Sequence, residues 1–220
     1  MVNQFYALGE LPCVVGCIDG THVEIKTPSE DEHQYVNRKG YHSLNCLMVC
    51  GPDYKFYYVN TKWPGSVPDA RVLRLSALAT KFDDEGWRPF PNGIVLGDSG
   101  FPLKQWLITP IQKYEMSDAE QNFNKAHSKT RRVVENAFGV MKNRFACLNK
   151  LRVSPMFAAE AIKACAVLHN LVLSFDPAEA EEMVGLGAAV TEDVNLEAEE
   201  LDLPENDGIE TRNRLVQRFR

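Results

Sequence analysis

Two apolar runs that each end in an aspartate constrain this chain more than any other feature. Val14-Val15-Gly16-Cys17-Ile18-Asp19 and Ile94-Val95-Leu96-Gly97-Asp98 both read as buried strands. Gly20 follows the first acid and Ser99-Gly100 the second, so the backbone can turn sharply and admit a ligand there. An acid at the mouth of a buried strand stands at a sheet edge, where sites form in open α/β sheets. Either aspartate alone is more often a turn former, so the pair needs its context.

That context alternates strands and helices. Cys13 to Lys26 reads as two short strands or one hairpin, and a polar loop follows it. Leu44–Cys50 is a second buried strand, and Lys55–Trp63, rich in β formers, is a third. Residues 70–82 repeat Val72, Leu75, Leu78 and Ala79 at helical spacing, with Asp69 placed to cap them. Trp106–Ile111 suggests one more short strand. The longest helical region spans 117–148: Ser117 and Glu120 form a capping-box pattern, and Val134, Phe138, Met141 and Phe145 make an apolar stripe. A last helix covers 155–175. The order predicts an α/β fold, a mixed sheet flanked by helices on both faces.

Charge divides the chain. Residues 1–175 carry 20 Lys+Arg and 17 Asp+Glu, a net of +3; residues 176–220 carry 4 and 13, a net of −9. The expected organisation is a folded domain over 1–175 and an acidic, largely disordered tail over 176–220. Nine bases against four acids between Lys113 and Arg152 suit a phosphate backbone, and equally a solvated helix face. No run of 18 apolar residues occurs, so no membrane span is expected. The N-terminus lacks the basic start of a secretory signal, which points to a reducing compartment. Two C-x3-C pairs, Cys13/Cys17 and Cys46/Cys50, invite a zinc reading, but both lie inside apolar runs where cysteine serves as a small hydrophobe.

Glu135, on the long helix, is the third acid of interest. It shares a face with Arg131, Gly139 and Lys142, ordinarily the mark of a surface ion pair. Combined with Asp19 and Asp98 it suggests more. Phosphoryl transfer with two Mg2+ or Mn2+ ions needs hard oxygen ligands from several elements. Two strand-end aspartates followed by a helical glutamate are the arrangement of RNase H-like DDE nucleases.

The matching segments are longer than those acids. GCIDGTHVEI, NRKGYHSLN, WPGSVPDARVL, VLGDSGFPLKQWLITPI, FNKAHSKTRRVVENAFGVMKNRFACL and AAEAIKACAVLHNL occur in order over roughly residues 12 to 175. Together they resemble the PIF/Harbinger transposases and the transposase-derived nucleases related to them. The resemblance implies an RNase H-like fold, a divalent metal cation (Mg2+ or Mn2+) as cofactor, DNA as substrate and a nuclear location. It assigns catalysis and metal binding to Asp19, Asp98 and Glu135, and adds Asp69 as a metal-associated acid. Family members often have His before that aspartate, where this chain has Pro68, and the plain alternative for Asp69 is a helix N-cap. Family members also carry an N-terminal helical region with a helix-turn-helix; here 18 residues precede Asp19, which implies weak sequence specificity on its own. In the family a Myb/SANT-like protein supplies DNA recognition.

Around the acids, His22 lies on the opposite side of its strand from Asp19. His127, Lys129, Arg131 and Arg132 could contact phosphates, and His169 reads as a core histidine. The leading expectation is a metal-dependent DNA endonuclease. The alternatives are a catalytically silent domesticated domain that binds DNA or protein, and an unrelated phosphoesterase for small substrates. No GxxxxGK[ST] loop is present, which disfavours P-loop nucleotide hydrolysis.

Overall fold

In the computed structural model, the described residues are 1–176, 178, 179, 182 and 204–220. β1 (Val14–Ile25) runs unbroken through Asp19 and Gly20. The expected pair of short strands or hairpin is therefore one strand of 12 residues. It stays straight because β2 (Ser43–Cys50) pairs antiparallel along nearly all of it, from Cys17 opposite Cys50 to Glu24 opposite Ser43. On its other edge β1 has two parallel partners at different heights. β4 (Ile94–Leu96) pairs with its beginning, up to Cys17, and β6 (Lys150–Leu151) with its end, from Glu24. Among the described residues no strand pairs this edge between Cys17 and Glu24, so the sheet is open beside Asp19.

β3 (Phe56–Pro64) extends the sheet from β2 and β5 (Leu107–Ile108) from β4, giving the order β3-β2-β1-β4-β5. All eight residues of β2 are buried, which explains its continuous apolar run: helices cover both faces. Among the described residues the helices are α1 (Val2–Gly9), α2 (Glu32–Tyr35), α3 (Asp69–Arg74), α4 (Ala77–Ala79), α5 (Asp118–Arg144), α6 (Pro155–Phe175) and α7 (Asn206–Val216). On one face Cys17, Val23, Cys46 and Met48 pack with Phe123, Val134, Phe138 and Met141 of α5 and Ile162 of α6. On the other, Ile18, Leu47 and Val49 pack with Val72, Leu73, Phe82 and Trp106. The expected α/β architecture with helices on both faces is the one observed.

The single helix expected over 70–82 is interrupted. Ser76 is extended and its Oγ accepts from Ala79 N at 3.1 Å, restarting the chain as α4, which continues into a π turn over Thr80–Asp84. α5 begins with the anticipated Ser117–Glu120 capping box. α6 is long and apolar enough to cross a membrane, yet its inner face is a core face against β3 and β2. There Asn170 stands in for a neighbouring strand: it accepts from Phe56 N at 2.8 Å and donates to Phe56 O at 2.7 Å. His169 is the core histidine expected. It accepts from Arg144 and donates to the Tyr54 carbonyl, and burial first of all pushes its pKa down to about 4, keeping it neutral.

Part of the supposed tail belongs to this body. α7 buries Leu215, lays Gly208 against the Lys104 backbone and aims Arg212 at the carbonyls of Thr109 and Pro110, at 3.4 and 3.2 Å. Lys104 pairs with Glu205 at 2.8 Å just before it. Residues 204–220 thus depart from a disordered tail, because Leu215, Ile209 and Phe219 find apolar partners that net charge does not reveal. Most of 177–203 lies outside the described residues.

Candidate active site

The parallel pairing of β1 and β4 sets Asp19, midway along β1, level with Asp98, just beyond the end of β4. Cys17 lies opposite Leu96, and two residues further along each chain stand Asp19 and Asp98. Side chains alternate along β1, so Asp19 projects with Cys17 toward α5, while Gly20 projects with Ile18 toward α3. Asp19 Oδ1 accepts from its neighbour's Gly20 N at 2.9 Å, and Asp98 Oδ1 accepts from Gly100 N at 3.0 Å. Each carboxylate is therefore held by a nearby backbone N–H, that of Gly20 within β1 and that of Gly100 in the turn after β4.

α5 crosses this face with its acid and a base one turn earlier. Arg131 donates to Asp19 Oδ2 at 2.7 Å and also pairs with Glu135. The three side chains are only 16%, 21% and 15% exposed (Asp19, Arg131, Glu135), so this is an enclosed ion-pair group rather than a solvated helix face. Sequence spacing suggested the Arg131–Glu135 pair but not its enclosure, and not that Asp19 completes it. Lys142, two turns after Glu135, donates to Thr21 Oγ1 at 2.7 Å and to the His22 carbonyl at 3.0 Å, fastening α5 to the stretch of β1 whose other edge is open.

Asp69 arrives from the opposite face. It is the first helical residue of α3, the cap position is Pro68, and no side-chain cap bond is made, so the plain N-cap reading does not hold. Its Oδ1 accepts from Asn45 Nδ2 at 2.6 Å. Its carboxylate lies where a Gly20 Cβ would be, with both oxygens and Cγ 2.2 to 2.4 Å from that position. Gly20 thus has two roles: it turns an N–H onto Asp19, and it leaves space for Asp69. Asn45, a polar residue within an apolar strand, was the signal in the sequence that this site needed a donor.

The electrostatics join all these groups. Burial pushes the Asp19 carboxyl up; Arg131 pulls it down, Asp98 and Asp69 push it further up, and the Gly20 N–H opposes them. The net direction is upward. Asp69 is pushed up to about 6, by burial first, with Asn45 and Arg38 opposing and Asp98 adding. Burial weakens the case for a charged Arg131, but Asp19, Glu135 and Asp98 hold it above the ordinary guanidinium range. Asp98 acts on Asp19, Asp69 and Arg131 alike, so the sequence-selected acids share one electrostatic neighbourhood. Repulsion among partly desolvated carboxylates favours a multivalent cation, and all-oxygen donors suit Mg2+ or Mn2+. Among the described residues no three His, Cys, Asp or Glu side chains already enclose a metal position, and the Arg131 guanidinium bridges Asp19 and Glu135.

The other candidates separate cleanly. His22 sits beside Ser43 Oγ at 3.0 Å, on the face away from Asp19. His127 is buried, donates Nε2–H to the Ile108 carbonyl at 3.0 Å and is pushed by burial first to a pKa of about 4, so it is a neutral structural group and not a phosphate ligand. Lys129 and Arg132 face outward and, with Asn124, Lys125 and Ser128, line a shallow hollow of about 460 Å3. Cys17, Cys46 and Cys50 are free and buried, with thiol pKa values pushed up by burial, as small core hydrophobes should be.

Comparison with known proteins gives this geometry a family. Residues 18–170 match the family described as DDE superfamily endonuclease. Proteins named "Putative nuclease HARBI1" from Bos taurus and Homo sapiens are 43% and 42% identical over 179 residues, covering 78% of this chain and 49% of each relative. "Protein ALP1-like" from Arabidopsis thaliana is 30% identical over 191 residues, 79% of this chain and 46% of its own length. The chain spans about half the length of these relatives, and no solved structure matches it. With the acids placed by β1, β4, α3 and α5 of a mixed six-stranded sheet, the chain belongs to the DDE superfamily endonucleases, among the Harbinger-derived nucleases.

Proposed function

We propose that this chain is a divalent-metal-dependent nuclease that cleaves DNA phosphodiester bonds, with Asp19, Asp98 and Glu135 as the catalytic acids and Asp69 as a fourth ligand. The observation that carries the reading is the enclosure of Asp19 and Glu135 about Arg131 at the open edge of β1, with Asp98 and Asp69 acting on Asp19. Two Mg2+ or Mn2+ ions bound there would activate the attacking oxygen and stabilise the leaving one. The protein's part is positional. Gly20 and Gly100 orient Asp19 and Asp98, Asn45 orients Asp69, and Arg131 holds Asp19 and Glu135 together while no cation is bound. Lys125, Lys129 and Arg132, on the outer side of α5, suit the backbone phosphates of a duplex. A nuclear location and a separate DNA-recognition partner of Myb/SANT type accompany this proposal.

The test is nicking of supercoiled plasmid with Mn2+. Asp98→Asn should abolish it, and equal nicking by the variant would remove Asp98 from the site. A second reading, a silent domain retaining the fold, is favoured by the Arg131 bridge between Asp19 and Glu135. Calorimetry separates the two: no Mn2+ uptake by the purified chain selects the silent domain.

A further inference from the structure

α6 has a second face. Its inner residues pack on the sheet, but Met156, Phe157, Val167, Leu168, Leu171 and Phe175 are 77%, 68%, 66%, 47%, 50% and 82% exposed. Soluble domains scatter exposed apolar side chains singly; a continuous stripe on one helix marks a contact surface. Phe157, Ala161, Ala164, Leu168, Leu171 and Phe175 follow one another at intervals of four, three, four, three and four residues. That is the 3.5-residue period of a helix seam meeting another helix, maintained over roughly 27 Å of axis.

The same six residues are symmetric about Ala166. Phe157 and Phe175 lie nine residues either side of it, Ala161 and Leu171 five, and Ala164 and Leu168 two. We propose that two copies of this chain pair through the outer faces of α6, antiparallel, about a two-fold axis that crosses the outer face between Ala164 and Leu168, at the height of the inward-facing Ala166. In that register Phe157 meets the partner's Phe175, Ala161 its Leu171 and Ala164 its Leu168. Alanines face leucines over the middle of the seam and phenylalanines meet at its two ends, and a two-fold interface requires such a self-complementary surface. A parallel pair would instead set alanine on alanine and leucine on leucine. The face carries Glu160 and Lys163, which pair with each other at 2.8 Å, so no net charge repels a second copy. Taking roughly 150–200 Å2 for each fully exposed side chain of this size, Phe157, Val167, Leu168, Leu171 and Phe175 offer about 550 Å2 per copy. Two copies would bury roughly 1,100 Å2, above the roughly 1,000 Å2 that a specific interface clears.

The test is analytical ultracentrifugation of the whole chain. At roughly 50 µM the unaltered protein should sediment as a dimer, and L168E/L171E should weaken association about 100-fold or more. Both leucines are half exposed, so thermal melting followed by circular dichroism should show the fold retained. Orientation is read from charge. F157K alone should break the dimer, and F157K/F175E should restore it, because an antiparallel pair sets the new lysine against the new glutamate. A monomer at that concentration, a dimer indifferent to L168E/L171E, or no rescue by F157K/F175E overturns the proposal. So does retention of a monomer on phosphatidylcholine vesicles through the same leucines, which would assign the face to lipid.

Discussion

Replacing Arg131 with methionine should loosen the protein without a divalent cation far more than with one. In the metal-free protein Arg131 is the cation that touches both Asp19 and Glu135, and all three side chains are no more than 21% exposed. Methionine keeps the aliphatic stem and removes the charge, leaving Asp19 facing Glu135, with Asp98 close enough to act on both Asp19 and Arg131. Removing one partner of a fully buried pair costs about 3–5 kcal/mol. Residual exposure lets water screen part of this, so about 2–3 kcal/mol is expected. For a domain of this size that lowers the melting temperature by roughly 5–10 °C. A bound divalent cation would supply the missing positive charge. The Mn2+-induced rise in melting temperature should therefore be larger for Arg131→Met than for the unaltered protein, and Mn2+ should recover most of the loss. The assay is differential scanning calorimetry of both proteins with and without saturating Mn2+. A loss under about 0.5 kcal/mol without metal, or equal Mn2+-induced shifts, would refute the claim that Arg131 balances the acids a metal would occupy.

Other outcomes follow from the same contacts. Gly20→Ala places a Cβ about 2.2 Å from the Asp69 carboxylate, so Asp69 must move about 1 Å from Asn45; about 1–3 kcal/mol of stability should go, and Mn2+ affinity with it, both measurable by calorimetry. Asp69 is raised to about 6 in the folded state, against roughly 3.9 unfolded, so without metal its contribution favours folding at low pH and declines as pH rises through 6. Because a bound cation needs the carboxylates ionised, the Mn2+-induced melting shift should grow from pH 5 to pH 8; a flat profile would contradict the upward shifts. His127 and His169 are held near pKa 4 against about 6.5 unfolded, so their contribution is complete above pH 6.5 and lost as pH falls toward 4. NMR titration should find both rings neutral at pH 6.

Much of this was legible in the sequence, for a physical reason. Strands buried on both faces need unbroken apolar runs, so β2 and β4 announce themselves, and an acid ending such a run stands out. The Ser117–Glu120 capping box and the Val134–Phe138–Met141 stripe are local signals, and α5 follows from them. What failed required distant partners. β1 reads as two pieces until β2 is seen pairing past Gly20. The 70–82 helix breaks at Ser76 because its hydroxyl caps a new start. His127 looks like a phosphate ligand until its bond to Ile108 buries it.

The sequence by itself determined the buried strands β2 and β4, the helices α5 and α6, and Asp19, Asp98 and Glu135 as acids worth following, while the family segments added Asp69. The strands, the helices and the prominence of the two aspartates depend on chemistry within a few residues. The tertiary structure decided how the acids relate: that Asp19 and Asp98 stand level across a parallel register, that Asp69 meets Gly20 from the far face, and that Arg131, 112 residues along the chain from Asp19, ties it to Glu135. Enclosure is what turns those charges from surface ions into a candidate site, and enclosure is set by every element packed around them.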